Sequence, residues 1–168
     1  AVMILGLVVC AMVQATGSRA FLEAGFYVPR NGWANALAVF TYPLVDKLNF
    51  FTLFGIYCFY SWSIGIESHM GRTVLTRLLL MLVTVPAALA TAVAYGMHSS
   101  SGLLGNYYLA AGLLVAFATL YPNAEAFGFI PFKYFAAACV FLGSLMALAE
   151  REALPLIALW SSCLVGFL

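Results

Sequence analysis

The chain has 168 residues, of which 65% are hydrophobic and 8% charged, with a formal net charge of +1. Soluble domains carry about 25% charged residues, and a water-soluble fold of this length cannot hide so much apolar surface, so composition predicts an integral, multi-pass membrane protein of a bacterial inner membrane or an organelle. The charge balance excludes nucleic acid as a partner, and the chain has no polybasic cluster beside a span.

In chain order the apolar runs predict six spans. Only helices or a closed barrel satisfy the backbone in hydrocarbon, and continuous runs without two-residue alternation select helices. The first run, Ala1 to about Ala15, opens without Met, which reads as a start trimmed inside a span. A signal peptide over Ala1 to Gly17 lacks the basic residues that normally precede one. The region from Thr16 to Lys47 contains Arg19, Glu23, Pro29, Arg30 and Trp33, with Tyr27 and Tyr42. It has no uninterrupted run of spanning length, so it reads as a partly helical loop lying in the membrane interface. The second span covers roughly Leu48 to Ile66 and is strongly aromatic. The third covers Val74 to Tyr95 and contains Pro86; the fourth covers Gly102 to Tyr121. The fifth covers about Phe132 to Leu148, and the sixth Leu154 to Leu168. The whole chain, 1–168, reads as a single transmembrane domain.

With alternating spans, Arg19, Arg30, Lys47 and Arg151 share one side, and Arg72, Arg77 and Lys133 the other. This difference does not orient the protein. The carboxylates Glu23, Asp46, Glu67, Glu125, Glu150 and Glu152 all fall in loops or at span ends, which argues against a proton-coupled transporter. Glu67 and Arg72 are placed to pair across the turn between the second and third spans. Cys10, Cys58, Cys139 and Cys163 lie in apolar runs without a Cys-x-x-Cys spacing and read as small buried hydrophobes. Thr76, Thr84, Thr91, Thr119 and Ser144 are polar residues that their own helix backbone can satisfy.

Several landmarks occur in order. Trp33 precedes Phe40-Thr41-Tyr42 in the long loop. The second span ends in Glu67-Ser-His-Met-Gly71-Arg72. The fourth opens with Gly102-Leu-Leu-Gly105 and carries Gly112 before Pro122. The sixth ends with the small residues Ser161, Ser162 and Gly166. Taken together, these resemble the rhomboid superfamily over essentially the whole chain. The resemblance implies an all-α six-helix bundle with a long interfacial loop between helices one and two. It also implies a serine on helix four, a histidine on helix six and polar donors on helix two. Here the serine position holds Leu104, within the Gly102 and Gly105 frame, and the histidine position holds Leu159. The helix-two donor positions fall at Phe51 and Gly55.

The resemblance therefore implies a non-catalytic, pseudoprotease member with no cofactor or metal. Such a member binds transmembrane segments of other membrane proteins at an opening between helices two and five. Candidate partner-helix contacts are Phe51, Phe54, Tyr57, Trp62, Tyr107 and Tyr108. Two alternatives stand beside it. One is a structural accessory subunit of a larger energy-transducing or photosynthetic membrane complex. The other is an intramembrane serine protease using Ser101-Gly102, with His98 three residues earlier; Ser101 also suits a helix N-cap.

Overall fold

The computed structural model describes residues 50–97, 107–126, 128–149 and 153–168. This part is mostly helical. It comprises α1 (Phe50–Met70), α2 (Arg72–Met97), α3 (Tyr107–Leu120), β1 (Glu125–Ala126), β2 (Ile130–Pro131), α4 (Phe132–Ala149) and α5 (Ala153–Phe167). The first predicted span and the long loop lie outside the described residues. The other five predicted spans each coincide with a helix, the fourth over Tyr107–Leu120.

Among the described residues two helices are long and apolar enough to cross a membrane, Arg72–Gly96 and Phe132–Ala149; α3 and α5 are shorter apolar helices. Pro86 lies inside α2 and is fully buried. It cannot donate to the carbonyl one turn back, a gap that packed neighbours tolerate in apolar surroundings.

The turn from α1 to α2 is a backbone device. Gly71 has φ 84°, and its N–H donates to the Glu67 carbonyl at 2.8 Å. A left-handed glycine stops a helix without a Cβ penalty. The expected ion pair is not what closes this turn: among the described residues Glu67 and Arg72 form none. From α3 the chain passes through an antiparallel hairpin, pairing Glu125 with Pro131 and Ala126 with Ile130. Gly128, at φ 77°, sits in its turn, and Phe132 N–H closes it on the Ala124 carbonyl at 2.7 Å.

The helix α3 touches all four other described helices, and α5 lies against α2, α3 and α4. The α3–α5 contact depends on glycine. A Cβ on Gly112 would meet Leu82 Cδ2 and would stand 2.8 Å from the Ser162 carbonyl oxygen. A Cβ on Gly166 would run into the Gly112 carbonyl and stand 3.2 Å from Ala116 N. Here backbone packs on backbone. Small residues permit this approach where apolar surroundings give helices little hydrophobic reason to associate.

At one end, aromatic rings fill the space between α1, α3 and α4. Trp62 meets Phe132 edge-on at 6.1 Å, and Phe117 meets Phe132 at 4.7 Å. Tyr121 stacks on Phe117 at 4.9 Å and donates its hydroxyl to the Gly65 carbonyl at 3.3 Å. Away from this cluster, α1 and α4 barely meet along their backbones.

Replacing Gly166 with valine should therefore lower stability by about 1–3 kcal/mol, the usual cost of overpacking. Gly55→Ala and Gly96→Ala meet nothing within 4 Å and should leave stability unchanged or raise it by up to about 1 kcal/mol. Unfolding by dodecyl sulfate titration from mixed micelles reads all three.

Candidate functional site

Leu159, the histidine position implied by the resemblance, falls where α3, α4 and α5 converge. Leu159 is 1% exposed and packs with Ala111 and Cys163 in a small apolar cluster. Tyr108, Val115 and Val140 close over that cluster. Leu159 is therefore a core side chain on the face of α5 turned toward α3. Leu104, Gly102, Gly105, Ser101 and His98 lie outside the described residues.

Most serine and threonine hydroxyls of the described helices are held by their own helix backbone. Ser161 and Ser162 both donate to the Ala158 carbonyl, at 3.0 and 2.8 Å. Ser144 donates to Val140 and Ser68 to Gly65, each at 2.8 Å. Thr76, Thr84, Thr91 and Thr119 do likewise, as expected of hydroxyls within helices. Ser63 differs, with a buried Oγ that finds no partner. His69 stands edge-on to Tyr121 at 5.6 Å, at the far end of α1 from the Leu159 cluster. Among the described residues no three His, Cys, Asp or Glu side chains come together as a metal site.

Two cavities flank the start of α3, and Tyr107 lines both. The first, of about 180 Å³, is bounded by Tyr107, Tyr108, Gly143, Ala147, Pro155 and Leu159, among others. The second, of about 160 Å³, opens between α1, α3 and α4. Its walls include Phe54, Gly55, Cys58 and Trp62 of α1, Tyr107 and Ala111 of α3, and Phe135 and Cys139 of α4.

The two tyrosines, 5.8 Å apart and nearly perpendicular, point to different neighbours. Tyr108 packs on a cluster built from Ala87, Ala90 and Ala94 of α2 with Leu154 and Ala158 of α5. Tyr107 reaches α4, where its hydroxyl occupies the space a Cβ on Gly143 would need. Leu159 Cδ2 would be 3.1 Å from that same Cβ.

Of the candidate partner-helix contacts, Phe54, Trp62 and Tyr107 thus share one cavity wall. Tyr57 is exposed and lies outside the lining. Tyr108 belongs to the α2–α5 side, and the Phe51 side chain lies outside the described residues. Trp62 is also committed to ring packing with Phe132. Sequence reading missed Gly143, Cys58 and Cys139 as parts of these sites. The available signal for the glycine was Gly143-x-x-x-Ala147, a small-residue spacing that marks a close helix approach.

Comparison with protein-family models, with curated proteins and with solved structures finds no match for this chain.

Tyr107 and Gly143 form a testable pair. Gly143→Ala should destabilise the chain by pushing against the Tyr107 ring. Tyr107→Phe should relieve it, giving a coupling of about 0.5–3 kcal/mol in a double-mutant cycle. Additive effects would mean that the tyrosine does not fill the glycine's space.

Proposed function

We propose that this chain is a membrane-embedded helical bundle of rhomboid-like organisation, without protease chemistry, that holds a transmembrane segment of another protein against α1 and α4. The membrane reading is supported by the exposure of its apolar helices. Only 28% of the most apolar window of α2, and 22% of that of α4, is buried inside the fold. A core helix of a soluble protein would be mostly covered. Leu80, Met81, Phe141, Leu142, Met146 and Leu148 instead face outward, and a bilayer would cover them.

The gap between α1 and α4 carries the binding reading. It is pinned by aromatic rings at one end and widens into the 160 Å³ cavity at the other. The lining is apolar and aromatic, with two thiols, the Tyr107 hydroxyl and the Trp62 indole N–H as its polar side-chain groups. That suits an apolar side chain projecting from a passing helix, held by van der Waals packing. The non-catalytic reading is supported by Leu159, which can neither donate nor accept a proton.

A photo-crosslinking residue at Phe54 or Phe135 should capture a spanning segment of another membrane protein, and the same residue at exposed Leu142 should not. Filling the cavity with Cys139→Phe should reduce capture from Phe54 severalfold. Equal capture at all three positions would favour the reading as a fixed subunit enclosed by a larger complex. Capture of lipid alone would end the partner reading. A serine-directed fluorophosphonate should leave the chain unlabelled; labelling abolished by Ser101→Ala would establish the protease alternative.

A further inference from the structure

A third concavity runs along the side of α4 opposite the 160 Å³ cavity, and its volume is about 670 Å³. It follows α4 from Lys133 to Leu148 and is closed by Leu156, Trp160 and Cys163 of α5. Ala118 of α3 and Ala136 of α4 are buried and form its floor, whereas Phe141 and Trp160 are largely exposed and form its rim. The stretch from Lys133 to Leu148 is about 22 Å long at helical rise, more than the roughly 15 Å depth of one bilayer leaflet's hydrocarbon.

The lining contains one charged residue, Lys133, at one end of the groove, and no carboxylate. Its ammonium lies 5.2 Å from the centroid of the Tyr134 ring, and among the described residues no carboxylate pairs with it. The groove is thus an apolar channel with a cation at its mouth. A flexible hydrocarbon chain is narrow enough to lie within it.

We propose that the α4–α5 groove is a binding site for an anionic phospholipid, with an acyl chain between Phe141 and Trp160 and the phosphate on Lys133. This rests on the membrane reading above and is independent of the partner-helix reading. Snorkelling lysines carry their charge to the headgroup level while the stem stays in hydrocarbon, and the first turn of a spanning helix is where that level falls.

The full chain, reconstituted in vesicles of equal zwitterionic and anionic phospholipid and then released for native mass spectrometry, should retain one phospholipid. The anionic class should be enriched about fivefold, the factor that one lysine near a headgroup supplies. Lys133→Gln should abolish the enrichment. Ala137→Trp, which fills the groove from an exposed position, should abolish retention of either class. Retention without headgroup preference, enrichment unchanged in Lys133→Gln, or no retained lipid overturns the proposal. So does a photo-crosslink from Ala137 to a protein segment, including residues 1–15 of this chain. Vesicle flotation separates the two readings: a chain that floats without retained lipid loses only this site, and one that does not float loses the membrane reading as well.

Discussion

Gly112 and Gly166 set the spacing from which the rest of the bundle is built. With no side chain on either, α3 and α5 approach until the carbonyl of one glycine occupies the space a Cβ on the other would need. That proximity places Leu159 and Cys163 against Ala111 and places Tyr108 on the α2–α5 cluster. It also leaves α4 with contacts to both α3 and α5 along one side. The cavities on either side of Tyr107 are what remains once this central pair has closed. In lipid, where apolar faces have no reason to avoid solvent, such geometric fit does much of the work that hydrophobic burial does in water.

The polar groups follow the same economy. Most serine and threonine hydroxyls inside the described helices donate to carbonyls three or four residues earlier and so demand no partner from a neighbouring helix; the buried Ser63 Oγ is the exception. The positions that a rhomboid-like protease would equip with proton-transfer groups are, where described, part of this inert packing. Leu159 is buried as fully as any core leucine, and Tyr107 and Tyr108 wall the small cavity beside it. The two faces of α4 differ in shape and in charge. One borders an aromatic-walled cavity without charge, and the other a long channel ending in an ammonium group.

Much of this was legible in the sequence because apolar runs and small residues are strong signals in a membrane-like composition. The described helices lie close to the predicted spans, and Gly112, Ser162 and Gly166, noted in the sequence as small residues, meet in the structure. The boundaries that differ have local causes. The helix α1 continues past Ile66 through polar residues because its backbone pairing runs on until Gly71 takes a positive φ. The hairpin between α3 and α4 was not foreseen, since two-residue strands leave no alternation to read and Gly128 was its only clear turn residue. Aromatic residues were the least legible. Helices apolar all round offer no polar face to mark the outside, so nothing in sequence distinguished Phe132, buried among three rings, from Phe141, which faces outward.

The ring cluster at the end of α1 has a mechanical consequence. Because Trp62 and Phe132 lock the two helices there, any separation of α1 from α4 is a swing about that locked end rather than a parallel displacement. From Trp62 to Phe54 the lever is eight residues, about 12 Å at helical rise. A rotation of about 10° at the pivot therefore carries Phe54 through about 2 Å, enough to change the shape of the cavity wall while the glycine contact of α3 with α5 stays untouched.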